Sequence, residues 1–230
     1  MPHIYSPAWF FDKDIIIDIV SIVVLLLIGY FAWQFHKFNR KKESHVLLAI
    51  SFFTLGAAFL FKILTSFILY HPVVQTQQVG PLVFSYLTIH YNNIFQVVGT
   101  ALYQLLTLAG LYLLYSIYYK KQLKTNIFFM AYFIILLTIF SLEAYYLFHL
   151  TAFLFLAFLV WKMYTNYRKT KDKAGETLLI SFSTIALSQI LFMFIGLNPL
   201  IYVLAEMVQL LGYIFLLSAF IMVLRYAKKR

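Results

Sequence analysis

The chain has 230 residues, of which 63% are hydrophobic, 20% aromatic and only 11% charged. Soluble domains run to about 45–50% apolar and about 25% charged, so this composition excludes a water-soluble globule, and the low charge excludes a disordered chain. Lys and Arg number 18 against 8 Asp and Glu, for a net charge of +10, and the absence of Cys excludes disulfides, thiolate metal sites and a cysteine nucleophile.

Long apolar runs predict seven membrane-spanning helices. The first covers about Ile15–Phe35 and the second about Val46–Tyr70. The third covers about Leu87–Tyr119, after a loop at His71–Gly80. The next apolar stretch, Asn126 to Tyr164, is too long for one crossing of a ~30 Å hydrocarbon core. It is expected to turn at Ser141–Tyr146, giving a fourth span at Asn126–Leu142 and a fifth at Tyr145–Tyr164. The sixth covers Thr177–Leu197 and stops at Asn198-Pro199, a helix breaker; the seventh covers Leu200–Leu224. Continuous rather than alternating apolar runs predict an all-α fold, one transmembrane domain over residues 1–230, and not a barrel.

The basic residues predict orientation. Lys37, Arg40, Lys41 and Lys42 follow the first span; Lys120, Lys121 and Lys124 follow the third. Lys162, Arg168, Lys169, Lys171 and Lys173 surround the fifth-to-sixth loop, and Arg225, Lys228, Lys229 and Arg230 end the chain. With seven spans all four groups share one side, which the positive-inside rule makes cytoplasmic, with the N-terminus outside. The same placement assigns the basic excess to topology and anionic headgroups of the lipid bilayer, and leaves no nucleic-acid partner. Asp12, Asp14 and Asp18 at the first span argue against a cleaved signal peptide, which needs a basic start.

A repeat is legible as well. Ile50-Ser51-Phe52-Phe53-Thr54-Leu55 in the second span parallels Ile180-Ser181-Phe182-Ser183-Thr184-Ile185 in the sixth. Trp33 and Trp161 are each followed seven residues later by Arg-Lys, and Gln104-Leu105-Leu106 parallels Gln209-Leu210-Leu211. The order of the pairs predicts a parallel 3+1+3 arrangement: repeat one at about 14–121, a connector helix at about 124–142 and repeat two at about 145–230.

Ionisable and amide side chains inside spans are costly and mark functional positions. Asp18, Lys62, His90, Asn93, Gln96, His149, Gln189, Glu206 and Gln209 are the candidates for ligand binding or ion pairing. At 1.5 Å of rise per residue, Lys62 lies roughly 12 Å and Glu206 roughly 9 Å from the outer ends of their spans. If these groups converge they line a vestibule open to the outside. Lys62 has plausible counter-ions in Glu206 and Asp18, and can otherwise snorkel to the headgroups. No catalytic residues, metal ligands or phosphate-binding loop are evident, and His90 and His149 are too near the interface to suggest haem.

In topology the chain resembles two families of seven-helix membrane proteins. Seven spans with an outside N-terminus resemble the microbial rhodopsins; that family's retinal lysine lies in its last helix, where this chain has no Lys between Leu200 and Leu224, so no retinal is expected. The 3+1+3 repeat resembles the SWEET sugar transporters, although no Pro is followed by Gln here. The functions this leaves are a small-solute transporter or channel, a seven-helix ligand sensor with a separate cytoplasmic partner, and an accessory subunit of a membrane complex. A homo-oligomer or membrane-complex partner fits each, an enzyme fits least, and the expected location is the cell membrane.

Overall fold

The computed structural model describes residues 6–38, 43–70, 73–79, 82–88, 93–118 and 123–228. A 3₁₀ turn at Ala8–Phe10 leads into α1 (Phe11–Phe38), followed by α2 (Glu43–Tyr70), β1 (Val73–Val79), β2 (Leu82–Thr88) and α3 (Asn93–Tyr118). Then come α4 (Leu123–Ser141), α5 (Tyr145–Thr170), α6 (Lys173–Met193) and α7 (Pro199–Lys228). Six of the seven helices, all but α4, are long and apolar enough to cross a membrane. Large apolar side chains lie on their outer surfaces, among them Ile94 at 75% and Trp161 at 69% exposure, and Phe128 of α4 is at 83%. A soluble monomer does not present so much apolar surface to water; a lipid-facing helix does. The chain is a helical membrane protein.

The helix ends follow local chemistry. The turn between α4 and α5 falls at Leu142–Ala144, inside the expected Ser141–Tyr146. The Asn198 carboxamide oxygen accepts from the Leu200 amide at 2.9 Å, so the residue before Pro199 starts α7 as the break predicts. Lys171 closes α5 in the left-handed region at φ 50°. Asp172 then caps α6, its carboxylate accepting from the Gly175 amide at 2.9 Å and the Thr170 hydroxyl at 2.6 Å. These two bonds hold the Asp172 carboxyl below its ordinary pKa.

Three boundaries differ from expectation. The third helix begins at Asn93, not Leu87, because β1 and β2 form an antiparallel hairpin in register from Val73↔Thr88 to Val79↔Leu82. Val-Val-Gln-Thr and Leu-Val-Phe-Ser-Tyr are β-branched and aromatic runs flanking Gly80-Pro81, a strand signal that apolarity obscured. The sixth helix ends at Met193, with Phe194–Leu197 in turns rather than in the span. The apolar stretch described in α4, Phe128–Ser141, is shorter than the other six, although the 19 residues of α4 rise about 28 Å.

Helices α1, α2 and α3 pack in sequence, as do α5, α6 and α7. The two triplets meet where α1 touches α7 and α3 touches α5, and α4 lies outside against α3 and α5. Two glycines let α3 and α7 approach the backbone of a neighbouring helix. A Cβ on Gly110 of α3 would meet Leu55 Cγ at 2.7 Å and the Ser51 carbonyl at 3.2 Å. A Cβ on Gly212 of α7 would meet Ile185 Cγ1 at 2.5 Å and the Ser181 carbonyl at 3.3 Å. Small residues at such crossings let backbones come close where no hydrophobic force draws helices together. The core runs through both triplets and includes Leu25, Ile28, Phe52, Leu108, Phe148, Leu156 and Leu216, all at most 2% exposed.

Candidate functional site

One turn of α1, the second half of α2 and the first turns of α7 bring three charges together. Lys62 Nζ donates to Asp18 Oδ1 at 2.8 Å and to Glu206 Oε1 at 2.7 Å. The Asp18 and Glu206 side chains are 2% and 0% exposed, and that of Lys62 is 17% exposed. The ammonium also lies 5.6 Å from the centroid of the Phe59 ring, within cation–π reach. Lys62 therefore does not snorkel: its charge turns inward to two carboxylates. The cluster joins the first triplet, through α1 and α2, to the second, through α7.

The triad sets one basic side chain between two acidic ones. A further buried carboxylate lies one helical turn away, where Asp14 Oδ2 accepts from the Tyr202 hydroxyl at 3.4 Å. Asp14 precedes Asp18 by four residues, and Tyr202 precedes Glu206 by four. Both spacings place the outer residue directly above the inner one.

Beside the triad opens a cavity of about 460 Å³. Its wall includes Lys62, Gln96, His149 and Glu206, with Glu143 of the α4–α5 turn also lining it. Tyr103, Tyr145, Phe148, Phe192 and Tyr202 supply aromatic wall. His149 Nδ1 and Gln189 Oε1 lie 2.9 Å apart. An amide oxygen accepts, so it is the Nδ1-protonated tautomer of His149 that donates across this contact. The ring is held by stacking on Phe192, with centroids 4.9 Å apart. At the far wall Gln104 Oε1 accepts from the Ser141 hydroxyl at 2.6 Å, tying α3 to the end of α4.

Deeper in the bundle the polar content thins. A void of about 30 Å³ is bordered by Thr107, Gln189, Gln209 and Tyr213, with Phe52, Leu55, Phe182 and Ile185 around it. That volume suits a water molecule and no larger solute. Tyr103 borders both spaces. Beyond the void, the lining residues Leu25, Leu111, Leu156 and Leu216 are apolar.

The structure thus gathers Lys62, Gln96, His149 and Glu206 around one cavity, with Asp18 behind Lys62. Gln189 reaches that cavity through its bond to His149, and Gln189 and Gln209 line the lower void. Asn93 is the first residue of α3, and His90 lies outside the described residues. Sequence reasoning missed Asp14, Tyr103, Tyr202 and the Gln104–Ser141 bond. The four-residue spacings from Asp14 to Asp18 and from Tyr202 to Glu206 were the signals available for two of them.

Four buried side-chain atoms have no hydrogen-bond partner among the described residues: Ser6 Oγ and His36 Nδ1 and, beside the triad, Glu206 Oε2 and Gln96 Oε1. Glu206 and Gln96 line the large cavity. Among the described residues no group of three or more His, Asp or Glu side chains is placed to hold a metal ion. The class defined by the fold is a helical membrane protein with a polar cavity at one end. The chain matches no protein-family profile, no curated protein and no solved structure, so neither the rhodopsin-like nor the SWEET-like resemblance gains support.

Proposed function

We propose that the protein is a small-solute transporter of the cell membrane, with the cavity beside Lys62 and Glu206 as its central binding site. The observation that carries this reading is the position of the cavity. It lies between two three-helix units and is walled from both, while the smaller void deeper in the bundle is bordered mostly by apolar side chains. The reading takes seven spans, with α4 as the connector and the basic ends of the helices in the cytoplasm. The cavity then opens outwards.

The matching glycine contacts support a parallel repeat. Gly110 meets Ser51 and Leu55, and Gly212 meets Ser181 and Ile185, the same two positions of the paired Ile-Ser-Phe segments. This alignment pairs Gly110 with Gly212 and so shifts the match of α3 to α7 by three residues from the Gln-Leu-Leu pairing. Alternating access would follow from rocking one unit against the other, which opens the apolar end as the cavity end closes. The triad sits on that moving interface.

The sealed apolar half also favours a second reading, a sensor that binds an outside ligand and never opens inward. Access decides between them. Because the native chain has no Cys, a single Thr100→Cys on the cavity wall reports cleanly. In sealed vesicles of both orientations, a membrane-impermeant maleimide is expected to label it from either face. Labelling from one face alone would replace the transporter with the sensor.

A further inference from the structure

The outer surface of the second triplet carries a groove of about 390 Å³ between α5 and α6. Its floor is set by small residues, Ala157, Ser183 and Ala186, and its walls by Phe153, Trp161 and Leu187. We infer that this face binds one anionic phospholipid of the surrounding bilayer, with an acyl chain in the groove and the phosphate held by Arg168. The inference stands on the chain being a helical membrane protein and needs nothing of the transport reading.

The groove has the dimensions of one leaflet. On α5 it runs from Phe153 to Tyr164, eleven residues or about 17 Å of rise. Half of a ~30 Å hydrocarbon core is about 15 Å. At the end nearer the α5–α6 loop it finishes in two aromatic side chains, Trp161 at 69% and Tyr164 at 47% exposure. Tryptophan and tyrosine favour the level of the headgroups.

A charge stands where the groove stops. Ala157, Trp161, Tyr164 and Arg168 follow one another at spacings of three and four, so they share one face of α5. The Arg168 guanidinium lies 6.0 Å from the centroid of the Tyr164 ring, one turn beyond the groove. Among the described residues no carboxylate pairs with it. A guanidinium can hold a phosphate through two parallel N–H bonds. Lys169, Lys171 and Lys173 surround it, against Asp172 and Glu176, and the Asp172 carboxylate is already engaged in capping α6.

A hydroxyl falls at the level of a lipid ester. Ser181 and Thr184 donate to carbonyls of their own helix, whereas Ser183, in the groove opposite Tyr164, has no hydrogen bond to a described residue. One helical turn, about 6 Å, separates Arg168 from that level. A second copy of the chain is a poorer occupant. Meeting this face across a two-fold axis along the membrane normal, it would set Arg168 and its neighbouring lysines against the same charges.

The test uses the purified, delipidated full chain in neutral detergent at neutral pH. Phosphatidylglycerol, phosphatidylcholine and diacylglycerol with identical acyl chains are added in turn, and bound lipid is counted by native mass spectrometry. One phosphatidylglycerol per chain is expected to be retained at least fivefold better than phosphatidylcholine, with diacylglycerol retained least. Arg168→Gln should abolish the difference between the two phospholipids. Lys169→Gln removes the same charge about 100° round the helix and should keep most of that difference. Ala157→Trp fills the groove and should lower retention at least fivefold. Thermal unfolding checks that each variant folds. If Ala157→Trp does not, Arg168→Gln and Lys169→Gln, both on the exposed end of α5, carry the test. Equal retention of the two phospholipids by the parent would overturn the inference. Equal losses in Arg168→Gln and Lys169→Gln would do the same, because they mark diffuse attraction to basic charge. Full retention by a folded Ala157→Trp would show that the headgroup binds without the groove, and a parent that sheds its lipid on dimerising would give the face to a second copy; either result overturns the site.

Discussion

The two ends of the bundle solve the membrane problem in opposite ways. At the cavity end, α1, α2, α3, α5 and α7 bring carboxylates, an ammonium, amides and an imidazole into the interior, and two acceptors remain without partners. Deeper in the bundle, Gly110 and Gly212 let helices come into close contact and the lining is mostly aliphatic and aromatic. The first arrangement costs stability and offers chemistry; the second contributes packing and offers no site. Sites of function are where a fold departs from its own rules of burial.

The comparison is broken most severely at Lys62. Lys62→Met leaves two buried carboxylates uncompensated, and stability is expected to fall by about 3–5 kcal/mol. The measurement is thermal or denaturant unfolding in detergent. Adding Asp18→Asn and Glu206→Gln to the variant should recover most of the loss. A Lys62→Met protein as stable as the parent would mean that the triad does not hold the helices.

The packed end is tested next. Gly212→Ala forces a methyl into Ile185 and the α6 backbone, and should cost about 1–3 kcal/mol. Gly196→Ala at the cavity end meets only the Tyr145 hydroxyl at 3.0 Å, the tip of a side chain that can move, and should cost clearly less. Equal losses at the two glycines would erase the contrast in packing.

A smaller effect has the opposite sign. Gln96→Leu removes a buried acceptor without a partner, so unfolding should show stability unchanged or raised by up to about 1 kcal/mol. A large loss of stability would show that Gln96 holds the fold.

The smallest expected effect lies outside both ends, at the cap of α6. Asp172→Ala should cost about 1 kcal/mol near neutral pH. The folded carboxyl has a depressed pKa, so its contribution is present above the ordinary value of 3.8 and is lost as pH falls through the lower folded value. The stability difference between parent and variant should therefore shrink only in strong acid. A difference that persists there would argue against a charged cap.

Much of this was legible from residues. Apolar runs located the helices, the Ser141–Tyr146 interruption located a turn, and Asn198-Pro199 located the start of α7. Depth arithmetic placed Lys62, Gln96, His149 and Glu206 at one end, because rise per residue is fixed once a helix is assumed. The hairpin was hidden because β-branched and aromatic residues raise apolarity in strands as they do in spans. Rotation about the helix axis was also beyond reach. Gln189 and Gln209 have depths compatible with the cavity, yet they point at the lower void, and only packing decides which way a residue faces.

The hydroxyl groups carry one more consequence. Ser21, Ser51, Thr54, Thr65, Thr107, Ser116, Ser181, Thr184 and Ser188 each donate to a carbonyl three or four residues earlier in their own helix. Their protons are committed along the helix axis instead of across the bundle. They cannot relay a proton from one helix to the next without first breaking a bond already made. These nine hydroxyls thus satisfy their own helices and contribute no donor to the space between them.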